Sequence, residues 1–196
     1  MMEIEKKFTP SQNFFPGREI PCSVIVYHYT EGGPAESCVE IFHRPDGVSA
    51  HFIVDRDGNI IQMVQMEDRA KHAGVSEWNG ITNVNDFSVG IEICNWGPLR
   101  KVGDDYFCGR PERQQKFLGT NVFQDEKGSF WEKYSDIQIE AVIQLTIYIM
   151  ERFPQITLEN ITGHENVARP IGRKIDPGPA FPWEKIKEEI KKLLNK

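Results

Sequence analysis

Phe87-Ser88-Val89-Gly90-Ile91-Glu92-Ile93-Cys94 alternates β-branched apolar residues with small or charged ones, the period of two that marks a strand buried on one face. Val89, Ile91 and Ile93 share the buried face, and Glu92 lies opposite with Ser88 and Gly90, whose small size leaves it room to face a cavity. Upstream, Val24-Ile25-Val26-Tyr27-His28-Tyr29 is a more continuous apolar run, the pattern of a central strand, and it sets His28 at a strand's end. Between the two, Pro34 after Gly32-Gly33 predicts a short helix to about His43. Asp57-Gly58, between apolar runs at 50–55 and 59–65, predicts an antiparallel hairpin. Downstream, Ser135 with Gln138 reads as a capping box. It opens a long, mostly buried helix through Ile137, Val142, Ile143, Leu145, Ile147, Ile149 and Met150 that ends near Phe153-Pro154. A short strand precedes His164, and Trp183 to Lys196 spaces Ile186, Ile190, Leu193 and Leu194 as an amphipathic cover. This order implies an α/β fold, a mixed central sheet flanked by helices on both faces.

The 196 residues suit one domain spanning 1–196. Residues 1–21, punctuated by Pro and Gly, read as an N-terminal coil. Residues 97–134 lose the alternation and read as an inserted excursion, too long for an ordinary connection and carrying Tyr106, Phe107, Phe117, Phe123, Phe130 and Trp131, as a lid over a site would. A net charge of -6, with no basic cluster, argues against nucleic acid as a partner. No stretch approaches the length of a membrane span. The first twenty residues hold no apolar core, so no secretory signal is expected in this chain and the cytoplasm is the expected location, with a phage-encoded or exported lysin as the alternative. Cys22, Cys38, Cys94 and Cys108 lack C-x-x-C spacing and are expected to be reduced. Cys94, in a buried strand, reads as a packed thiol and not a nucleophile.

The chemistry resides in three distant places. His28 closes a strand, Thr162-Gly163-His164 follows another, and Lys174-Ile175-Asp176-Pro177-Gly178 lies twelve residues beyond His164. Together they offer two imidazoles and one carboxylate to one divalent ion. Three protein ligands with an open fourth position is the arrangement of catalytic zinc, whereas structural zinc fills all four. That points to hydrolysis. Glu92, on the cavity-facing side of its strand, is either the base for such a reaction or a strand-surface glutamate paired with a lysine.

Five motifs in one order carry a family likeness: Val48-Ser49-Ala50-His51, Lys71-His72-Ala73-Gly74, Asn85-Asp86-Phe87-Ser88-Val89-Gly90-Ile91-Glu92, Thr162-Gly163-His164, and Asp176-Pro177-Gly178-Pro179-Ala180-Phe181. Over roughly residues 22–96 and 135–190 the chain resembles the zinc-dependent N-acetylmuramoyl-L-alanine amidases. That family is related to phage amidase lysozymes and peptidoglycan-recognition proteins, and the likeness is greatest to the amidases that recycle anhydro-muropeptides. It implies a central sheet with flanking helices, one Zn²⁺ per chain, a peptidoglycan or soluble muropeptide substrate, and cleavage between the lactyl group of N-acetylmuramic acid and L-alanine. The alternative is a non-catalytic peptidoglycan-binding module of the same fold. Residues 97–134 have no counterpart in compact members.

Carried over by motif, the likeness puts the metal ligands at His28, His164 and Asp176, the catalytic glutamate at Glu92 and the catalytic lysine at Lys174. Water attack on an amide needs a base, a role open to Glu92. It also needs stabilisation of a tetrahedral oxyanion, for which the Lys174 ammonium is suited unless it is merely a solvated loop cation. Substrate contacts are expected from His72, His51, Trp78 and Arg173. For His72 and His51 a hydrogen bond behind the metal ligands, or plain packing at a sheet edge, stands beside that reading. Trp78 is equally readable as a loop anchor.

Overall fold

The computed structural model describes residues 2–45 and 47–195; Met1 and Lys196, the ends of the expected domain, lie outside them. Six strands form the main sheet in the order Ile4–Lys6, Ile60–Gln62, Phe52–Val54, Ser88–Ile93, Val24–Tyr29, Ile161–Gly163. Phe52–Val54 and Ile60–Gln62 pair antiparallel, as their Asp-Gly turn requires, and every other neighbouring pair is parallel. The mixed sheet expected from the element order is therefore present.

Its two faces are chemically distinct. Ile25, Tyr27, Phe52, Val54, Ile60, Val89, Ile91 and Ile93 pack beneath the long helix Asp136–Arg152 and the C-terminal helix Trp183–Leu194, in the largest apolar cluster. On the other face, Ile53, Ile61 and Cys94 meet the helix Ala35–Phe42. Helices thus cover both faces, and Cys94 is packing material whose thiol pKa burial pushes up. Among the described residues, no helix is long and apolar enough to cross a membrane.

The long helix starts where expected, with Ser135 Oγ accepting from the Gln138 backbone N–H at 3.2 Å. The capping box is only half made. Gln138 turns inward and its Nε2 donates to the Cys94 carbonyl at 2.9 Å, tying the helix to a strand edge. Ile137, expected in the core, is 56% exposed because it sits in the first turn, outside the stripe that meets the sheet.

Two expectations need correction. The opening is not all coil: Ile4–Lys6 adds a parallel edge strand to Ile60–Gln62, and Phe14–Phe15 pairs with Arg69–Ala70. Both pairings are long-range and leave little local trace in so short a strand. Residues 97–134 are not patternless either. Gln115–Lys116, Asp105–Cys108, Pro98–Val102, Phe130–Glu132 and Val122–Gln124 form, in that order, a second, wholly antiparallel sheet. It has its own small core of Leu99, Cys108 and Phe117, with Trp96, Tyr106, Val122 and Phe130 packed around it.

An ion pair ties this second sheet to the first. Glu132 receives Arg56 Nε at 2.7 Å and Nη2 at 2.8 Å, while Arg56 Nη1 donates to the Gly33 carbonyl at 2.7 Å. The Glu132 side chain is only 8% exposed, so removing Arg56 leaves a carboxylate with little water and with the Trp96 backbone N–H as its remaining donor among the described residues. Arg56→Ala is expected to lower unfolding free energy by about 3 kcal/mol in urea titrations. A loss below about 1 kcal/mol, the scale of surface pairs, would show that the latch is superficial.

Candidate active site

The site forms at the carboxyl ends of parallel strands, where side chains from separate strands converge. His28 and Glu92 are register partners on adjacent strands, and Gly163 is the partner of Tyr27. His164, the next residue, therefore emerges beside His28. Asp176 arrives on the loop that follows. Its return demands a glycine at 163, since a Cβ there would stand 2.6 Å from Pro177 Cδ. The Glu165 N–H donating to the Asp176 carbonyl at 2.9 Å and the Tyr134 hydroxyl donating to the Pro177 carbonyl at 2.8 Å hold the loop down.

The result is a near-equilateral triangle of donor atoms. His28 Nδ1 lies 3.0 Å from His164 Nδ1 and 3.1 Å from Asp176 Oδ2, and His164 Nδ1 lies 3.0 Å from the same oxygen. All three residues are buried. Tetrahedral zinc with bonds of about 2.0–2.1 Å sets its ligand atoms roughly 3.3 Å apart, so shifts of a few tenths of an ångström accommodate the ion. With its proton on Nε2, 3.2 Å from the Ala73 carbonyl, His164 can present Nδ1 to an ion as a bare lone pair. The donor set, two nitrogens and one oxygen, fits a borderline ion such as Zn²⁺.

Electrostatics match this arrangement. Burial pushes the His28 pKa down to about 4, so its imidazole is neutral at pH 7. Burial alone would raise Asp176, but hydrogen bonds with His164 and His28 outweigh it and hold the carboxyl well below the usual carboxylate range. Glu92 is the opposite case. Burial, and then repulsion from Asp176, hold it well above its ordinary value against the opposing charge of Lys174. Its Oε2 is buried and has no hydrogen-bond partner among the described residues. An unpartnered carboxylate oxygen next to a metal-type triangle is poised to handle a proton. Lys174 is exposed, and its charge acts on both Glu92 and His28.

The structure brings His28, His164, Asp176, Glu92 and Lys174 to one place, and it parts company with the expected substrate contacts. His51 is fully buried: Nδ1 accepts from the Gly90 N–H at 3.0 Å and Nε2 donates to the Asp68 carbonyl at 3.1 Å. No ligand reaches it. His72 is buried behind His28, with His28 Nε2 3.0 Å from its Nδ1. Arg173 is exposed and gives part of its donor set to backbone, Nη2 to the Ala73 and Val75 carbonyls and Nε to the Arg169 carbonyl. Trp78 packs on Val84 and its neighbours and opens on a cleft with Trp183 and Lys187 that the triangle does not share. Sequence reasoning missed Ser88 and Asn85, which engage His72 from either side.

A family model described as N-acetylmuramoyl-L-alanine amidase matches residues 18–179. The 1,6-anhydro-N-acetylmuramyl-L-alanine amidase AmpD of Haemophilus influenzae is 33% identical over 144 residues, covering 74% of this chain and 59% of that protein. The N-acetylmuramoyl-L-alanine amidase AmiD of Escherichia coli is 31% identical over 173 residues, covering 85% of this chain and 52% of its own length. The chain thus spans between half and three fifths of these curated relatives. Among solved structures, an AmpD selenomethionine derivative superposes with a TM-score of 0.65 at 27% identity, covering 96% of this chain and 94% of that one. AmiD from E. coli, solved with the substrate anhydro-N-acetylmuramic acid-L-Ala-D-gamma-Glu-L-Lys, also gives 0.65, at 29% identity, covering 92% of this chain and 60% of that one.

Proposed function

This chain belongs to the N-acetylmuramoyl-L-alanine amidase family, and from that premise we propose that it hydrolyses the amide between the lactyl group of N-acetylmuramic acid and L-alanine in muropeptides, with one Zn²⁺ per chain. The observation that carries the proposal is the triangle of His28 Nδ1, His164 Nδ1 and Asp176 Oδ2 beside the unpartnered Oε2 of Glu92. A bound Zn²⁺ would supply positive charge that polarises the amide carbonyl and brings the acidity of water toward neutral pH.

The remaining work falls to this chain's side chains. Glu92 Oε2 takes a proton from the attacking water as the carbon–oxygen bond forms, and it delivers that proton to the leaving nitrogen of L-alanine as the carbon–nitrogen bond breaks. The Lys174 ammonium faces the tetrahedral oxyanion, a contribution worth about 3 kcal/mol in comparable sites. Asp176 supplies the site's anionic ligand, and neutral His28 leaves the net charge positive.

The second sheet is proposed as a wall for the bound muropeptide, held by the Arg56–Glu132 pair, in place of the closing lid expected from sequence. A cleft of about 520 Å³ runs between its Phe123, Ser129 and Trp131 and the ligand loop at Glu165, Ile175 and Pro179. The AmpD relative's name supports a soluble anhydro-muropeptide as substrate. Four unpaired, buried cysteines support a reducing compartment, the cytoplasm.

Mass spectrometry of products separates the readings. Incubation with anhydro-muropeptides and, separately, with purified sacculi is expected to release free L-alanyl peptide, and chelator is expected to stop it. Retained binding without release would make the protein a recognition module and overturn the proposal.

A further inference from the structure

We propose, resting on the metal reading above, that His72 is a positioning residue: it presents His28 to the cation through a buried string of hydrogen bonds that ends at Ser88. His28 Nε2 lies 3.0 Å from His72 Nδ1, and His72 Nε2 lies 3.0 Å from Ser88 Oγ. Each link holds one proton. With one proton per imidazole, just two arrangements satisfy both links.

In the first, His28 keeps its proton on Nδ1, facing Asp176. His72 Nδ1–H then donates to His28 Nε2, and the Ser88 hydroxyl donates to His72 Nε2. In the second, His28 donates from Nε2 to His72 Nδ1, and His72 donates from Nε2 to Ser88 Oγ. Both contain the same number of protons, so exchange between them needs no acid or base from outside. A nitrogen that ligates a cation must offer a bare lone pair, and only the second leaves His28 Nδ1 bare. Cation binding therefore selects one tautomer along the whole string.

The ring of His72 is locked for this task. Gly90 lies flat against it, and a Cβ there would come within 2.5 Å of His72 Cγ. The backbone N–H groups of His72 and Ala73 both donate to Asn85 Oδ1, at 3.1 and 2.8 Å. The His28 and His72 rings meet edge to face at 84°. These contacts explain why the strand face carrying Glu92 also carries Ser88 and Gly90: the space they leave holds His72.

The choice of an imidazole has an electrostatic consequence. Ligating histidines commonly rest on a carboxylate, a carbonyl or water. Here His164 rests on the Ala73 carbonyl and His28 rests on a neutral ring, so the outer partners add no negative charge. Among the described residues, Asp176 remains the one anion in contact with the ligand imidazoles, and the cation's power to polarise a carbonyl is left undiluted.

Zinc affinity by competition with a chromophoric chelator, and histidine ¹⁵N NMR of the whole protein, test this. His72→Phe preserves a flat ring over Gly90 and removes both links; zinc is expected to bind about 10- to 100-fold more weakly. His72→Asn, whose Oδ1 can accept from His28 Nε2, is expected to recover most of that loss. In the zinc-loaded wild type, His72 is expected to carry its proton on Nε2. Wild-type affinity in His72→Phe, or a proton on His72 Nδ1 in the loaded wild type, overturns the assignment, and the NMR result decides it even if the Phe variant does not fold. Failure of the wild type to bind zinc at all would instead overturn the metal reading, and this proposal with it.

Discussion

Glu92→Gln is expected to lower kcat by a factor of about 10² to 10⁴, the usual span for a general acid–base group, with zinc content and KM little changed. The amide keeps the size and polarity of the carboxyl but can neither take a proton from water nor return one to the leaving amine. The same substitution is expected to stabilise the metal-free protein at neutral pH. Burial and the neighbouring Asp176 raise the Glu92 pKa in the folded state, so the fold binds that proton more tightly than the unfolded chain does. Stability is therefore lost as pH rises from the unfolded value of about 4.3 through the raised folded value. Gln has no such proton to lose, and thermal melts should place the metal-free variant above wild type at pH 7, with the gap closing below pH of about 4. Unchanged kcat would remove Glu92 from the chemistry. A metal-free melt at or below wild type would show that the buried carboxylate carries no ionisation cost.

A catalyst that stores an unpartnered carboxylate sacrifices stability for function, and this bears on how legible the site was. Alternation in 87–94 and the apolar run 24–29 fix the face that carries Glu92 and the strand end that carries His28, while His164 and Asp176 were placed by their ligand chemistry and by the family likeness. Parallel register then does the rest, setting His28 against Glu92 and Gly163 against Tyr27. His72 was not legible in the same way. It lies in a stretch with no regular structure, and nothing local distinguishes a histidine facing solvent from one folded beneath a strand. Its trace was indirect: Ser88 and Gly90, read as room for Glu92, in fact make room for His72. Arg173, expected at the substrate, has Nη2 on the carbonyls of Ala73 and Val75, a use of its donors that no local pattern announces.

The second sheet carried a usable signal that the expected excursion passed over. Val102-Gly103-Asp104-Asp105 is a two-residue hairpin with Gly103 at φ +60, the position where a primed turn calls for glycine. The Asp125 carboxylate likewise accepts the backbone N–H groups of Lys127 and Ser129 at 2.9 and 2.8 Å, which closes the next hairpin. What hid these strands was composition. The sheet buries only a small core, and its exposed strands carry Lys, Arg and Asp where the main sheet carries Ile and Val.

Asp176→Asn is expected to abolish activity through the metal, and to shift stability with the opposite sign to Glu92→Gln. Loss of a direct anionic ligand should weaken zinc by more than the roughly 10- to 100-fold that outer partners cost, read by chelator competition and by zinc content after gel filtration. Without metal, the sign reverses because the pKa shift reverses. Hydrogen bonds with His164 and His28 overcome burial and depress the Asp176 pKa in the fold. That stabilisation is fully present above the unfolded value of about 3.9 and disappears as pH falls through the depressed folded value. Metal-free Asp176→Asn should therefore melt below wild type at pH 7, while metal-free Glu92→Gln melts above it. Two carboxylates in one cavity, one held as the anion and the other pressed toward its protonated form, are what a hydrolytic site needs: a permanent ligand and a movable proton. If both variants move the metal-free melt in the same direction, that division of labour is wrong. If Asp176→Asn retains zinc at wild-type affinity, the triangle of His28, His164 and Asp176 does not hold the ion.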